Sequence, residues 1–114
     1  MASKQSTVDF ILKQINDAGE VSAKKMFGEY GIFCNGKMVA LICDDQLFVK
    51  PTVAGLKLAQ GCAEGCPYPG AKPCFLISDE KLKDQKWLVN LVKITADELP
   101  FPIKKRRPNI DEKN

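Results

Sequence analysis

The chain has 114 residues, 45% of them apolar and 27% charged, which suits one folded domain with a single core and excludes a disordered body. No apolar run approaches the roughly 18 residues of a membrane helix. The N-terminus MASKQSTVDF lacks an apolar secretory region, so a cytoplasmic protein with reduced cysteines is expected. The net charge of +3 is localised: residues 1–50 and 51–99 each carry six lysines and six acidic residues, and the whole excess lies in 100–114. The predicted division is one domain over 1–102 and a basic, disordered tail over 103–114.

In chain order, Ser6 or Thr7 is placed to cap a first helix with Val8, Ile11, Leu12 and Ile15 on its inner face, ended by Gly19. An antiparallel meander follows from Ala23 to Lys50, punctuated by Asn35-Gly36 and Asp44-Asp45. Asn-Gly favours the type I′ turn that suits strand twist. A two-residue loop there pairs Cys34 with Lys37, Ile32 with Val39 and Tyr30 with Leu41. The second turn pairs Leu41 with Phe48 and Ile42 with Leu47. Alternation then collects Tyr30, Ile32, Val39, Leu41 and Phe48 on one face, and Phe33, Met38, Ile42, Leu47 and Val49 on the other. Both faces are apolar, so each needs a cover. The first and last helices suffice for one; a short helix, a loop or a second copy of the chain is needed for the other.

Thr52 caps a predicted short helix from Val53 to about Gln60, and 61–73, rich in Pro and Gly, reads as an ordered loop. Cys74 to Ile77 form a further short strand. Asp84 caps a final helix with Trp87, Leu88, Leu91, Val92, Thr95 and Leu99 inward, closed by Pro100 and Pro102.

Five cysteines and no histidine limit the chemistry. Without His, neither a Ser-His nor a Cys-His nucleophile is available, and no enzyme is expected. Cys62, Cys66 and Cys74 crowd one loop, but a structural zinc site wants four ligands. The meander register sets Cys34 and Cys43 at opposite ends of one strand, about 20 Å apart, so they share neither a metal nor a disulfide. Free thiols filling apolar spaces, a Cys62–Cys66 redox pair, and a metal site are the readings left for these residues. No cofactor or metal is expected. Asp44-Asp45 read as turn formers and Asp97-Glu98 as solvated charge near a helix end. Gly28 and Gly31 do not follow a phosphate-loop spacing and mark a bulge and a close backbone contact. The adjacent cations Lys104, Lys105, Arg106 and Arg107 form the candidate nucleic-acid contact, of the sequence-independent, phosphate-binding kind. A solubilising tail accounts for them equally well.

The run Met26-Phe27-Gly28-Glu29-Tyr30-Gly31-Ile32-Phe33, followed by Asn35-Gly36-Lys37-Met38 and Leu47-Phe48-Val49-Lys50, resembles the TfoX N-terminal domain family. Tyr68-Pro69-Gly70-Ala71-Lys72-Pro73 and the closing helix extend the likeness over about residues 8–99. The resemblance implies an α+β fold, an antiparallel meander with flanking N- and C-terminal helices. It also implies a bacterial, cytoplasmic relative of the Sxy/TfoX competence regulators, which promote transcription of DNA-uptake genes with a cyclic-AMP receptor protein. The full regulators carry a second, helical domain, where this sequence has its basic tail. The resulting expectation is a small non-enzymatic regulatory or protein-interaction module. Its expected partners are a protein, DNA through the tail, and a second copy in a homodimer; no membrane is involved. A cysteine-based metal or redox module using Cys62, Cys66 and Cys74 is the alternative.

Overall fold

The computed structural model describes residues 3–26 and 29–99. In chain order the elements are α1 (Gln5–Gln14), β1 (Val21–Met26), β2 (Glu29–Cys34), β3 (Lys37–Cys43), β4 (Gln46–Val49), α2 (Val53–Leu58), β5 (Ala63–Gly65), β6 (Cys74–Ile77), α3 (Asp79–Leu82) and α4 (Gln85–Glu98). The strands form one antiparallel sheet in the order β1-β2-β3-β4-β6-β5, with helices at both ends of the chain, the expected α+β meander.

Two turns set its register. Asn35 and Gly36 have φ of 53° and 83°, and Asp44 and Asp45 have φ of 54° and 60°, the positive pair that a type I′ hairpin turn requires. Cys34 accordingly faces Lys37, and Ile42 faces Leu47. The expected register fails in the middle of the first hairpin. A bulge at Ile32/Phe33 pairs Phe33 with Met38 but Ile32 with Ala40, leaving Val39 as the extra residue. One inserted residue reverses the facing of everything beyond it. Ile32 therefore shares a face with Ala40, Ile42, Leu47 and Val49, while Leu41 and Phe48 turn to the opposite face.

The helices cover the first of these faces. Val8, Ile11 and Ile15 from the α1 region and Leu88, Leu91 and Val92 from α4 are at most 1% exposed, against Ile32, Ile42 and Val49 at 0%. Burying a branched aliphatic side chain this fully stabilises the fold by about 2 kcal/mol. Polar groups in the layer are paired: Thr95 Oγ1 donates to Leu91 O at 2.7 Å, and Trp87 Nε1 donates to Leu58 O at 3.0 Å.

Some helix and loop details depart from expectation. α1 ends at Gln14, followed by a 3-10 turn at Asn16–Ala18, so Gly19 (φ 150°) closes that turn rather than the helix. β5 lies within the stretch expected to be loop, and α3, capped by Ser78, precedes the final helix. Thr52 caps α2 and Asp84 caps α4 as expected.

Candidate functional site

The second face of the sheet carries Leu41 and Cys43 from β3, Phe48 from β4, and Cys74 and Leu76 from β6. No helix residue belongs to this cluster among the described residues, and the loop after β5 approaches the face with Pro67 and Tyr68. Pro67 and Tyr68 of this loop line the same cavity as Leu41 and Cys43, about 560 Å³ in volume, with Met26 at the end of β1 on the same wall. Gly31 belongs to this face for lack of space: a Cβ there would stand 3.1 Å from the sulfurs of both Met26 and Met38. Where a close backbone contact is expected at Gly31, the neighbours are instead two methionine side chains. Gly28, expected at a bulge, lies outside the described residues.

Two acidic residues, Glu29 and Asp44, line the cavity, and Asp45 follows in the same turn. Glu29 Oε1 accepts the backbone N–H of Ser3 at 2.8 Å, and Oε2 accepts that of Asp44 at 3.0 Å. Burial pushes this carboxyl up, but the hydrogen bonds from Asp44 and Ser3 outweigh it and hold Glu29 below its ordinary value. Asp45 Oδ1 accepts the Lys4 N–H at 2.7 Å and the Thr7 hydroxyl at 3.0 Å, which lowers its pKa. Asp45 thereby caps α1, the role expected of Ser6 or Thr7; the cap residue, Lys4, makes no side-chain cap bond. The same correction applies to Glu98, read as solvated charge. Its carboxylate accepts the N–H groups of Val53 at 2.9 Å and Ala54 at 2.8 Å, capping α2 from the end of α4.

The cysteines separate between the layers. Cys34 sits in the helix-side core beside the Asn35-Gly36 turn, with its thiol donating to Ala18 O at 3.7 Å, while Cys43 lies on the second face beside the other turn. Cys62 packs half-buried against the helix-side core, Cys66 is exposed, and Cys74 is buried on the second face. All five are free, and the described residues contain no cluster of three or more His, Cys, Asp or Glu able to hold a metal. Burial raises the thiols of Cys34, Cys43 and Cys74, which makes each a weaker nucleophile. The expected phosphate contact at Lys104, Lys105, Arg106 and Arg107 lies outside the described residues.

The antiparallel sheet with flanking helices is the α+β arrangement expected from the MFG-x-YG run. The family model for the TfoX N-terminal domain matches residues 13–99, and the chain belongs to that family. At this coarse level it is a module of the competence-related regulatory class. A relative from Spirochaeta aurantia, described as an uncharacterized 12.7 kDa protein in the trpE 5′ region, is 33% identical over 102 residues. The match covers 90% of this chain and 88% of the relative. Among the described residues no helix is long and apolar enough to cross a membrane.

Proposed function

We propose that this chain is a small non-enzymatic regulatory module of the bacterial cytoplasm that acts by contact, binding a protein partner with its sheet and touching DNA nonspecifically with its tail. Membership in a regulatory family carries the first part. The confinement of all net positive charge to residues 100–114 supports the second, because four adjacent cations release counterions from phosphate whatever the sequence. Among the described residues the sheet offers β1 as an edge, hydrogen-bonded to β2 on one side only, with Ser22, Lys24 and Lys25 exposed along it. An extended segment of a partner, or β1 of a second copy in a homodimer, adds there as a further strand.

Fluorescence anisotropy on duplex DNA at several salt concentrations tests the tail. Four phosphate contacts give a slope of log K against log salt of about −3.6. Deleting residues 103–114 abolishes the binding. Binding that survives the deletion, or that is absent from the full chain, removes the DNA part of the proposal. Sedimentation tests the homodimer: a monomer at all concentrations restricts the partner to another protein.

A further inference from the structure

The cavity under Pro67 and Tyr68 goes beyond the contact reading and stands apart from it. Its volume, about 560 Å³, is in the range of small-molecule pockets. Its walls combine apolar groups, Leu41, Met26 and Pro67, with the half-exposed ring of Tyr68. The charged groups lining it are both acidic, Glu29 and Asp44, with no Lys or Arg among the described lining residues. Glu29 is held in place by the N–H groups of Ser3 and Asp44, one on each oxygen. A carboxylate has about four acceptor sites, so this one keeps capacity for a further donor. A cavity whose lining joins apolar groups to two carboxylates complements an apolar body that ends in a cation.

We propose that this cavity binds a small amphipathic organic cation, an aromatic or aliphatic primary amine. Its apolar body lies against Leu41, Met26 and Pro67, its ammonium meets Glu29 and Asp44, and the face of Tyr68 closes over it. A cation near a tyrosine ring gains a further attraction beyond the carboxylates.

The test is an NMR titration of the full ¹⁵N-labelled chain with tryptamine, and with indole-3-propionate as a matched anion, both without DNA. Tryptamine is expected to shift the amides of Glu29, Leu41, Cys43 and Asp44 with a Kd around 1 mM. The propionate is expected to bind at least about tenfold more weakly, since it carries the wrong charge to an acidic site. Tyr68→Ala, in an exposed loop position, weakens tryptamine by about threefold. Asp44→Asn keeps a residue that tolerates positive φ and weakens it by a similar factor. Equal responses to amine and anion, shifts that avoid the cavity, or no response to tryptamine each overturn the proposal. Because no DNA or protein partner is present, failure here leaves the contact reading standing, and failure of tail binding leaves this one standing.

Discussion

The two faces of this sheet are made by alternate residues of the same strands, yet they are finished differently. Toward the helices, Ile32, Ile42 and Val49 are fully excluded from water. On the other side, Leu41, Cys43, Phe48 and Cys74 retain between 5% and 9% of their surface, and Leu76 is only half-buried. The difference comes from the cover. Two amphipathic helices pack on one face, whereas the other meets only Pro67 and Tyr68 of a Pro- and Gly-rich loop, with a cavity between. Strand residues alone do not decide how well a face is sealed; the element laid over them does.

Paired truncations separate the faces most sharply. Leu88→Ala removes a side chain with no exposed surface from the α4 contact and is expected to cost about 3 kcal/mol in chemical denaturation. Leu76→Ala, on the loop-covered face, is expected to cost only about 1 kcal/mol. Equal losses would mean that the loop packs as tightly as the helices. A comparable effect, of about 1 kcal/mol, is expected from Glu98→Ala, which leaves the Val53 and Ala54 N–H groups of α2 without this acceptor. Thr52 still caps that helix, so the loss stays modest.

Much of this arrangement is legible along the chain, and the failures share a cause. Asn35-Gly36 and Asp44-Asp45 announce their turns because positive φ at two successive positions suits few residues. Thr52 and Asp84 announce their helices because a cap acts three residues away. The bulge at Ile32/Phe33 leaves no such mark: where both faces are apolar, either register puts an apolar residue on each side, and alternation cannot choose. β5 is Ala-Glu-Gly, with no β-branched or aromatic residue, and becomes a strand only because β6 offers its edge. The caps from Asp45 and Glu98 bridge more than 35 positions of sequence and are visible only once the fold has closed. The cavity is hidden for the same reason, since it joins Met26 and Leu41 of the meander to a loop some 25 residues further on.

Gly31→Ala probes the loop-covered face from below. The added methyl would press on two methionine sulfurs at 3.1 Å, both on flexible chains able to move aside. A loss of under about 1 kcal/mol is expected, together with shifted methyl resonances for Met26 and Met38. A loss several times larger would show that the methionines are locked, and that this face is as rigid as the helix-covered one.

The smallest effect expected is acid sensitivity of the N-terminal attachment. Glu29 and Asp45 both titrate below their ordinary values of 4.5 and 3.8, because Glu29 accepts hydrogen bonds from Asp44 and Ser3, and Asp45 from Lys4 and Thr7. A carboxyl with a depressed folded pKa binds protons less readily than the unfolded chain does. Its stabilisation is therefore complete above the unfolded value and is lost as the pH falls through the folded one. The attachment of Ser3 and Lys4 should weaken below about pH 4.5, seen as faster amide exchange at Ser3, Lys4 and the first turn of α1 while α4 stays protected. Asp45→Asn keeps the turn and one acceptor oxygen but loses the charge, and it should flatten the part of this dependence set by Asp45. The effect is small because both carboxylates are largely in water, where screening limits what a charge can hold. If the α4 amides lose protection at the same pH, the whole domain opens together, and the difference between its two ends disappears.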